Sequence, residues 1–145
     1  MTSTRSFVDT NVFVYAADVV STDVAKRDVA SGLLAEEGGL VVSTQVLQEF
    51  YIVVTRKLRP AMSAEEAAES VQRMTRLEVV LLDVPLVRQA IDTSRAATIS
   101  LWDALVVEAA RYAKCERILT EDLSHGQTIR GIAVHNPFHQ LSSGS

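Results

Sequence analysis

Residues 6–17 read SFVDTNVFVYAA, a short apolar run that predicts a strand at 6–8, an acid at Asp9 and a helical pattern over 12–17. The same change of hydrophobic period recurs along the chain. Strands alternating with helices indicate a parallel sheet covered on both faces. We therefore expect an α/β fold, a three-layer α/β/α sandwich around a central, mainly parallel sheet. Further helices are predicted at 23–36, 44–57, 63–75, 83–97 and 100–114, and further strands at 40–42, 79–82, 117–120 and 132–134.

The size and composition of the chain favour a single domain. With 145 residues and 48% hydrophobic content, it is long enough for a core of its own. We expect one domain over residues 1–140 and a flexible Ser/Gly tail at 141–145. No apolar run approaches the roughly 20 residues that cross a bilayer, and the N-terminus lacks a signal-peptide pattern. We expect a cytoplasmic protein, with Cys115 a buried structural thiol.

Four acids mark the ends or edges of apolar segments. An unpaired buried carboxylate is costly, so each must be hydrogen-bonded, paired or bound to a cation. The 14 Lys and Arg stand against 18 Asp and Glu, so without these four acids the charges would balance. In parallel sheets the working crevice lies beyond the carboxyl ends of the strands, where such positions converge. The sequence therefore suggests a metal site, formed by Asp9, Glu49, Asp103 and Asp122.

Each acid also has a structural interpretation. Asp103 stands three residues after the predicted cap Ser100, where the helix dipole favours a carboxylate. Asp9 has the properties of a cap for the helix near residue 12, and Asp122 those of a turn residue. Glu49 is harder to explain in this way, because an acid on an apolar helix surface needs a partner.

Several stretches together resemble the PIN-domain ribonucleases, and most closely the VapC-type toxins of type II toxin-antitoxin pairs. They follow the family's order over essentially the whole chain. The stretches are Phe7-Val8-Asp9-Thr10-Asn11-Val12, Gln48-Glu49-Phe50, Leu101-Trp102-Asp103-Ala104, Leu119-Thr120-Glu121-Asp122-Leu123 and Asn136-Pro137-Phe138.

The resemblance implies a site and a chemistry. Asp9, Glu49, Asp103 and Asp122 would bind one or two Mg²⁺ or Mn²⁺ ions, with Asp122 preferred to its neighbour Glu121 because Thr-x-Asp matches the motif. Thr10, Asn11 and Thr120 would hydrogen-bond and orient the acids. Water activated by metal would then hydrolyse RNA, leaving a 5′-phosphate and a 3′-hydroxyl. The resemblance also implies a cognate antitoxin and a homodimer, with contact surfaces expected on the helices near 12–17 and 46–54.

Two rival functions are weighed against this one. A haloacid-dehalogenase-like phosphatase would use an acid after the first strand, here Asp9, as nucleophile, but it needs a second Asp two positions later, where this chain has Asn11. A PIN-like binding module without catalysis would keep the acids only as structural groups. Failure to bind Mn²⁺ would favour that second rival.

Residues outside the four acids give weaker indications. His135 and His139 are four apart, but Pro137 between them argues against a zinc-binding helical face. Trp102 is expected to pack rather than to stack on a base. A basic cluster, Arg56, Lys57 and Arg59, is compatible with RNA binding and equally with the cation preference of a helix C-terminus.

Overall fold

The computed structural model describes residues 4–18 and 23–143, which fold around a six-stranded sheet. The strands are β1 (Ser6–Val8), β2 (Leu40–Ser43), β3 (Glu78–Val80), β4 (Arg117–Leu119), β5 (Thr128–Ile129) and β6 (Ile132–His135). The helices are α1 (Thr10–Ala17), α2 (Val24–Glu36), α3 (Thr44–Arg56), α4 (Ala64–Met74), α5 (Val84–Ala97), α6 (Leu101–Tyr112) and α7 (His139–Ser143).

The strand order is β3-β2-β1-β4-β6-β5, and every neighbouring pair is parallel except β5 with β6. From β1 the chain moves outward to β2 and β3, and then returns across them to β4. Because parallel crossovers are right-handed, the outward and return connections lie on opposite faces of the sheet. The helices group accordingly: α1 to α4 pack on one another, whereas α5 packs on α6, which contacts β1, β2, β4 and β6. The predicted three-layer α/β fold is confirmed.

Polar side chains fix where the helices begin. In each case a side-chain oxygen accepts a hydrogen bond from a backbone N–H of the first turn, which has no partner inside the helix. Ser43 accepts from Val46, Asp83 accepts from Leu86, and Ser100 accepts from Asp103. The predicted starts of α3, α5 and α6 are therefore confirmed, and the same holds for α2 and α4, which Asp23 and Ser63 cap.

Three predicted boundaries were wrong. The strand predicted at 79–82 as buried ends at Val80, and the Leu81 side chain is 67% exposed. The physical reason is that β3 is an edge strand with a partner on one side only. Helix α1 begins at Thr10 instead of residue 12, because Asp9 caps it, and α6 ends at Tyr112, before the positive φ of Lys114.

The C-terminal part of the fold contains two elements that the sequence did not predict. β5 has only two residues, too few for a hydrophobic period, and joins β6 through a turn with positive φ at Arg130 and Gly131. α7 covers 139–143, so the predicted boundary between domain and tail at residue 141 falls within it. Residues 144 and 145 of the predicted tail lie outside the described residues. The single-domain boundary stays a prediction.

The core lies between the sheet and the helices. Its largest fully buried apolar side chains include Phe7, Phe138, Ile118 and Leu119. Cys115 is buried among them, and burial raises the pKa of its thiol to about 11, as expected of a structural cysteine. No helix in the described ranges is long and apolar enough to span a bilayer.

Candidate functional site

The crevice forms where strand order reverses, at the carboxyl ends of the central strands β1 and β4. β1 pairs in parallel with β2 on one side and with β4 on the other. The backbone N–H of Asp9 donates to the carbonyl of Leu119 at 3.0 Å, and the N–H of Thr120 donates to that of His135 at 3.1 Å. These hydrogen bonds continue the parallel pairing one residue beyond the ends of β1 and β4. Asp9 and Thr120 are thereby held side by side at a topological switch point.

Asp9 is a buried carboxylate, with only 6% of the residue exposed. One oxygen, Oδ1, accepts from the backbone N–H of Thr10 at 2.8 Å, as expected of an N-cap, and Oδ2 accepts from the hydroxyl of Thr120 at 2.8 Å. Burial raises the pKa of Asp9 to about 6. These two hydrogen bonds pull the pKa down, while the charges of Asp122 and Glu49 raise it further.

The Thr120 hydroxyl is the hub of the site. While donating to Asp9, it accepts from the side-chain amide of Asn11 at 3.2 Å and from the backbone N–H of Asp122 at 3.0 Å. A hydroxyl has one proton and two lone pairs, so this one is fully used. The Asn11 amide also donates to Asp122 Oδ2 at 3.2 Å, and its oxygen accepts from the backbone N–H of Glu121 at 3.3 Å. The loop carrying Asp122 is therefore tied to α1.

Glu49 reaches the same crevice from α3. Its Oε2 accepts from the Thr10 hydroxyl at 3.0 Å, and its Oε1 accepts from Gln45 Nε2 at 3.1 Å. Gln45 stands four residues earlier on α3, a spacing that places both side chains on one face. The same Gln45 nitrogen lies 3.2 Å from the carbonyl oxygen of Trp102 at the start of α6. Gln45 thus links the Glu49 carboxylate to the helix that carries Asp103.

Asp103 approaches from the first turn of α6. Its backbone N–H donates to the capping hydroxyl of Ser100 at 3.0 Å, so it is Ser100 that caps the helix. The pKa of Asp122 is raised, first by burial and then by the charges of Asp103, Glu121 and Glu49, against the Asn11 hydrogen bond that lowers it. The charges of Asp103 and Glu49 therefore act on Asp122, and those of Asp122 and Glu49 act on Asp9.

Glu121 belongs to a different cluster from its neighbour Asp122. Its carboxylate accepts from the Tyr15 hydroxyl at 2.6 Å and pairs with Lys26 Nζ at 3.0 Å. The Lys26 ammonium also lies 4.9 Å from the centre of the Tyr15 ring, within cation–π range. The sequence reasoning missed Tyr15, Lys26 and Gln45. Spacings of four residues, from Asn11 to Tyr15 and from Gln45 to Glu49, were the available indications for two of them, and Lys26 had none.

Two neighbouring cavities open along the site. One, of about 320 Å³, is lined by Thr10, Asn11, Val14, Tyr15, Glu49, Val53, Glu121 and Asp122. The other, of about 380 Å³, is lined by Gln48, Glu49, Ile52, Val53 and Lys57. Glu49 and Val53 line both, so the two cavities adjoin along α3. The second is also lined by Lys57, which has no ion-pair partner within the described residues.

The acids fit a hard divalent cation in chemistry. All are carboxylates, the ligands that Mg²⁺ and Mn²⁺ prefer. As they stand, no three His, Cys, Asp or Glu side chains in the described parts of the chain are close enough to hold one ion. What the structure shows instead is a buried acid, Asp9, whose pKa is raised partly by two neighbouring carboxylates. A cation at this position would offset that repulsion.

The weaker candidates fall outside the acidic crevice or behave differently from expectation. The packing role predicted for Trp102 was wrong, because its side chain is 63% exposed. His125 stacks on His139 with ring centres 4.0 Å apart, and its ring centre lies 5.2 Å from that of His135.

Comparison with known proteins places this geometry in a family. The profile of the PIN domain matches residues 6–128. No curated protein matches the chain. Among solved structures, the sarcin-ricin loop-cleaving toxin VapC20 of Mycobacterium tuberculosis is similar with a TM-score of 0.66 and 21% identity, over 81% of this chain and 91% of that one.

Two complexes give the same likeness. A toxin-antitoxin complex from Klebsiella pneumoniae matches with a TM-score of 0.65 and 15% identity, over 91% of this chain and 97% of that one. A DNA-bound VapBC complex from Salmonella typhimurium matches with a TM-score of 0.61 and 16% identity, over 92% of this chain and 98% of that one. At these identities the likeness establishes the fold.

Proposed function

This chain belongs to the PIN-domain family, and on that premise we propose that it is a metal-dependent endoribonuclease, the toxin of a toxin-antitoxin pair. One observation carries the proposal. Asp9, buried at the end of the central strand, lies beside the Glu49 and Asp122 carboxylates, and hydrogen bonds through Thr10, Asn11 and Thr120 hold all three. A buried carboxylate beside like charges is costly unless a cation compensates it.

The residues divide into two roles. Asp9, Glu49, Asp103 and Asp122 hold one or two Mg²⁺ or Mn²⁺ ions. Thr10, Asn11 and Thr120 orient those carboxylates, since each donates to one of them. When bound, such an ion acidifies a water for attack on phosphorus and offsets the charge of the phosphate and the leaving oxygen.

The substrate proposed is RNA, cut without help from the ribose 2′-hydroxyl. Hydrolysis by water leaves a 5′-phosphate and a 3′-hydroxyl. The crevice suits a strand because two open depressions adjoin along α3, one lined by Glu49 and Asp122 and the other by Glu49 and Lys57. Cations such as Lys57 position a nucleic acid by its phosphates without reading its sequence.

Two protein partners follow from the same proposal. Structures similar to this one are complexes with an antitoxin, and we propose a cognate antitoxin here and a homodimer of the toxin. The predicted contact helices are now better defined. Val12, Val46 and Val54 are buried in the core, whereas Tyr51 and Ile52 on α3 are 36% and 40% exposed. If α3 takes part in the dimer, Tyr51 and Ile52 contribute its contacts.

The proposal is tested by incubating the protein with transfer RNA and ribosomal RNA in Mg²⁺ or Mn²⁺, and then with chelator. The variants are Asp9→Asn, the more exposed and structurally safer Asp122→Asn, and Asp92→Asn as a control on the surface of α5. We expect cleavage by the protein and by Asp92→Asn, abolished by chelator and by either site variant. Equal cleavage by all variants would mean a contaminating nuclease. Binding of Mn²⁺ without any cleavage would favour a binding module.

A further inference from the structure

The indole of Trp102 is exposed at the edge of the proposed active site. It is the second residue of α6, directly before Asp103, and it is 63% exposed, although 30 apolar residues are buried in the core of the described part of the chain. A tryptophan is among the most favourable residues to bury. Its exposure here is therefore unexplained by packing within this chain.

The backbone of Trp102 is fixed relative to the acids. Its carbonyl oxygen accepts from Gln45 Nε2 at 3.2 Å, and the same nitrogen lies 3.1 Å from Glu49 Oε1. Gln45 itself is 5% exposed. One buried amide thus ties the Trp102 backbone to the carboxylate on α3, and the exposed indole extends from a helical turn whose position relative to Glu49 is fixed.

The electrostatics of the crevice favour an uncharged contact with RNA. The carboxylates of Asp103 and Glu49 act on Asp122, and this negative charge would repel phosphates. The nearby cation Lys26 is already paired with Glu121. Stacking of a base on an aromatic ring needs no charge and contributes substantially to single-strand binding, whatever the base. A ring with only two side-chain torsions also loses little entropy when it binds.

We propose that Trp102 stacks on a nucleobase of the RNA strand next to the bond that is cut, and so positions that strand over the acids. This inference rests on the proposed ribonuclease function. It assigns Trp102 to binding and not to the chemical step. Its loss should raise KM and leave kcat nearly unchanged, because stacking is present in the bound substrate as well as in the transition state.

Trp102 is the only tryptophan of the chain, so its fluorescence reports this contact alone. The protein is titrated in Ca²⁺, in place of Mg²⁺, with a mixed-sequence single-stranded RNA dodecamer. An abasic dodecamer with the same phosphates serves as the matched probe. We expect the RNA to quench the emission and the abasic strand to leave it almost unchanged. Equal effects of the two strands, or no quenching at saturation, would overturn the proposal.

Variants give an independent readout through KM and through RNA affinity measured by anisotropy. We expect Trp102→Ala to weaken binding roughly tenfold and Trp102→Phe to retain most of the affinity. The control is Tyr112→Ala, which removes a 72% exposed ring about 15 Å further along α6 by the helical rise. It should bind like the parent protein.

The remaining outcomes separate this inference from the function on which it rests. If Trp102→Ala and Tyr112→Ala bind and cleave equally, the stacking role is wrong while the ribonuclease stands. If Trp102→Ala instead turns a dimer into a monomer, the indole covers a protein interface and the proposal fails. If the parent protein neither binds nor cleaves any RNA, the proposed function itself fails.

Discussion

The hydroxyl of Thr120 donates a 2.8 Å hydrogen bond to the buried carboxylate of Asp9. Its two lone pairs are occupied by the Asn11 amide and the backbone N–H of Asp122, so the proton has one direction available. Asp9 must therefore accept at Oδ2, as an ionised or ion-bound carboxylate does. This single hydroxyl connects the end of β1, the start of α1 and the loop after β4.

Thr120→Val removes the hydroxyl and preserves the shape of the side chain. The buried Asp9 carboxylate then loses a donor, and the partly buried Asn11 amide and Asp122 N–H lose an acceptor, which costs roughly 1–3 kcal/mol of unfolding free energy. Metal affinity should fall roughly tenfold to a hundredfold, as for other groups that orient ligands. Denaturant unfolding and Mn²⁺ calorimetry measure the two effects. Thr120→Ser, which keeps the hydroxyl, is the control, and a serine variant as damaged as the valine variant would contradict the account.

Mn²⁺ affinity should strengthen as pH rises through about 6, because Asp9 must lose its proton to bind and its pKa is raised to about that value. The raised pKa of Asp122 acts in the same direction. Calorimetry between pH 5 and pH 7.5 tests this. Affinity that is constant over that range would show that Asp9 is not a ligand.

In the absence of metal, the raised pKa of Asp9 predicts that the stability of the protein falls as pH rises, whereas metal affinity strengthens. Asp9 has a higher pKa folded than unfolded, so its stabilising contribution is complete below pH 3.8 and is lost as pH rises through about 6. The two-unit shift corresponds to about 3 kcal/mol. Adding Mn²⁺ should restore stability more at pH 7.5 than at pH 5. Thermal unfolding at both pH values, with and without Mn²⁺, measures it, and equal restoration would argue against this role of Asp9.

Glu121→Gln and Asp122→Asn should behave differently although the residues are adjacent. The Glu121 carboxylate is held by Tyr15 and Lys26, so its loss should cost about 1 kcal/mol of stability and change cleavage less than tenfold. Asp122→Asn should reduce metal-dependent cleavage by at least roughly a hundredfold. Cleavage rates at saturating Mg²⁺ compare them. The reverse order of effects would assign the metal to Glu121.

Lys57→Gln should weaken RNA binding and reduce its salt dependence by about one counterion, because Lys57 lies at the far end of the cavities shared with Glu49. Arg59→Gln is the control. It removes a positive charge two residues from Lys57. The Arg59 guanidinium donates hydrogen bonds to the carbonyls of Arg56 and Leu58. Anisotropy at several salt concentrations separates them. Equal losses would indicate only a general effect of charge.

The parts of the fold set by local pattern could be predicted from the sequence. Capping residues such as Ser43 and Ser100 predict where their helices begin. Apolar runs that end beside an acid predict strands that end at the crevice. The sequence also named Asp9, Glu49 and Asp103, whose charges the structure places near Asp122 or near one another. Their role as metal ligands stays a proposal.

What could not be predicted depends on position within the assembled sheet. Leu81 and Val80 are similar residues, but only the structure shows that β3 is an edge and that Leu81 is exposed. The contacts of Glu121 with Lys26 span 95 positions, and no local spacing encodes them. Trp102 was predicted to pack because tryptophan favours burial, whereas in the first turn of α6 it is 63% exposed.

The most direct test of the central claim is the chemistry of the cut ends. RNA cleaved by the protein in Mg²⁺ is mapped for its termini, beside Asp9→Asn and a chelator control. Hydrolysis by water at the acidic crevice predicts 5′-phosphate and 3′-hydroxyl ends that require both metal and Asp9. A 2′,3′-cyclic phosphate, or cleavage that persists in chelator, would contradict it.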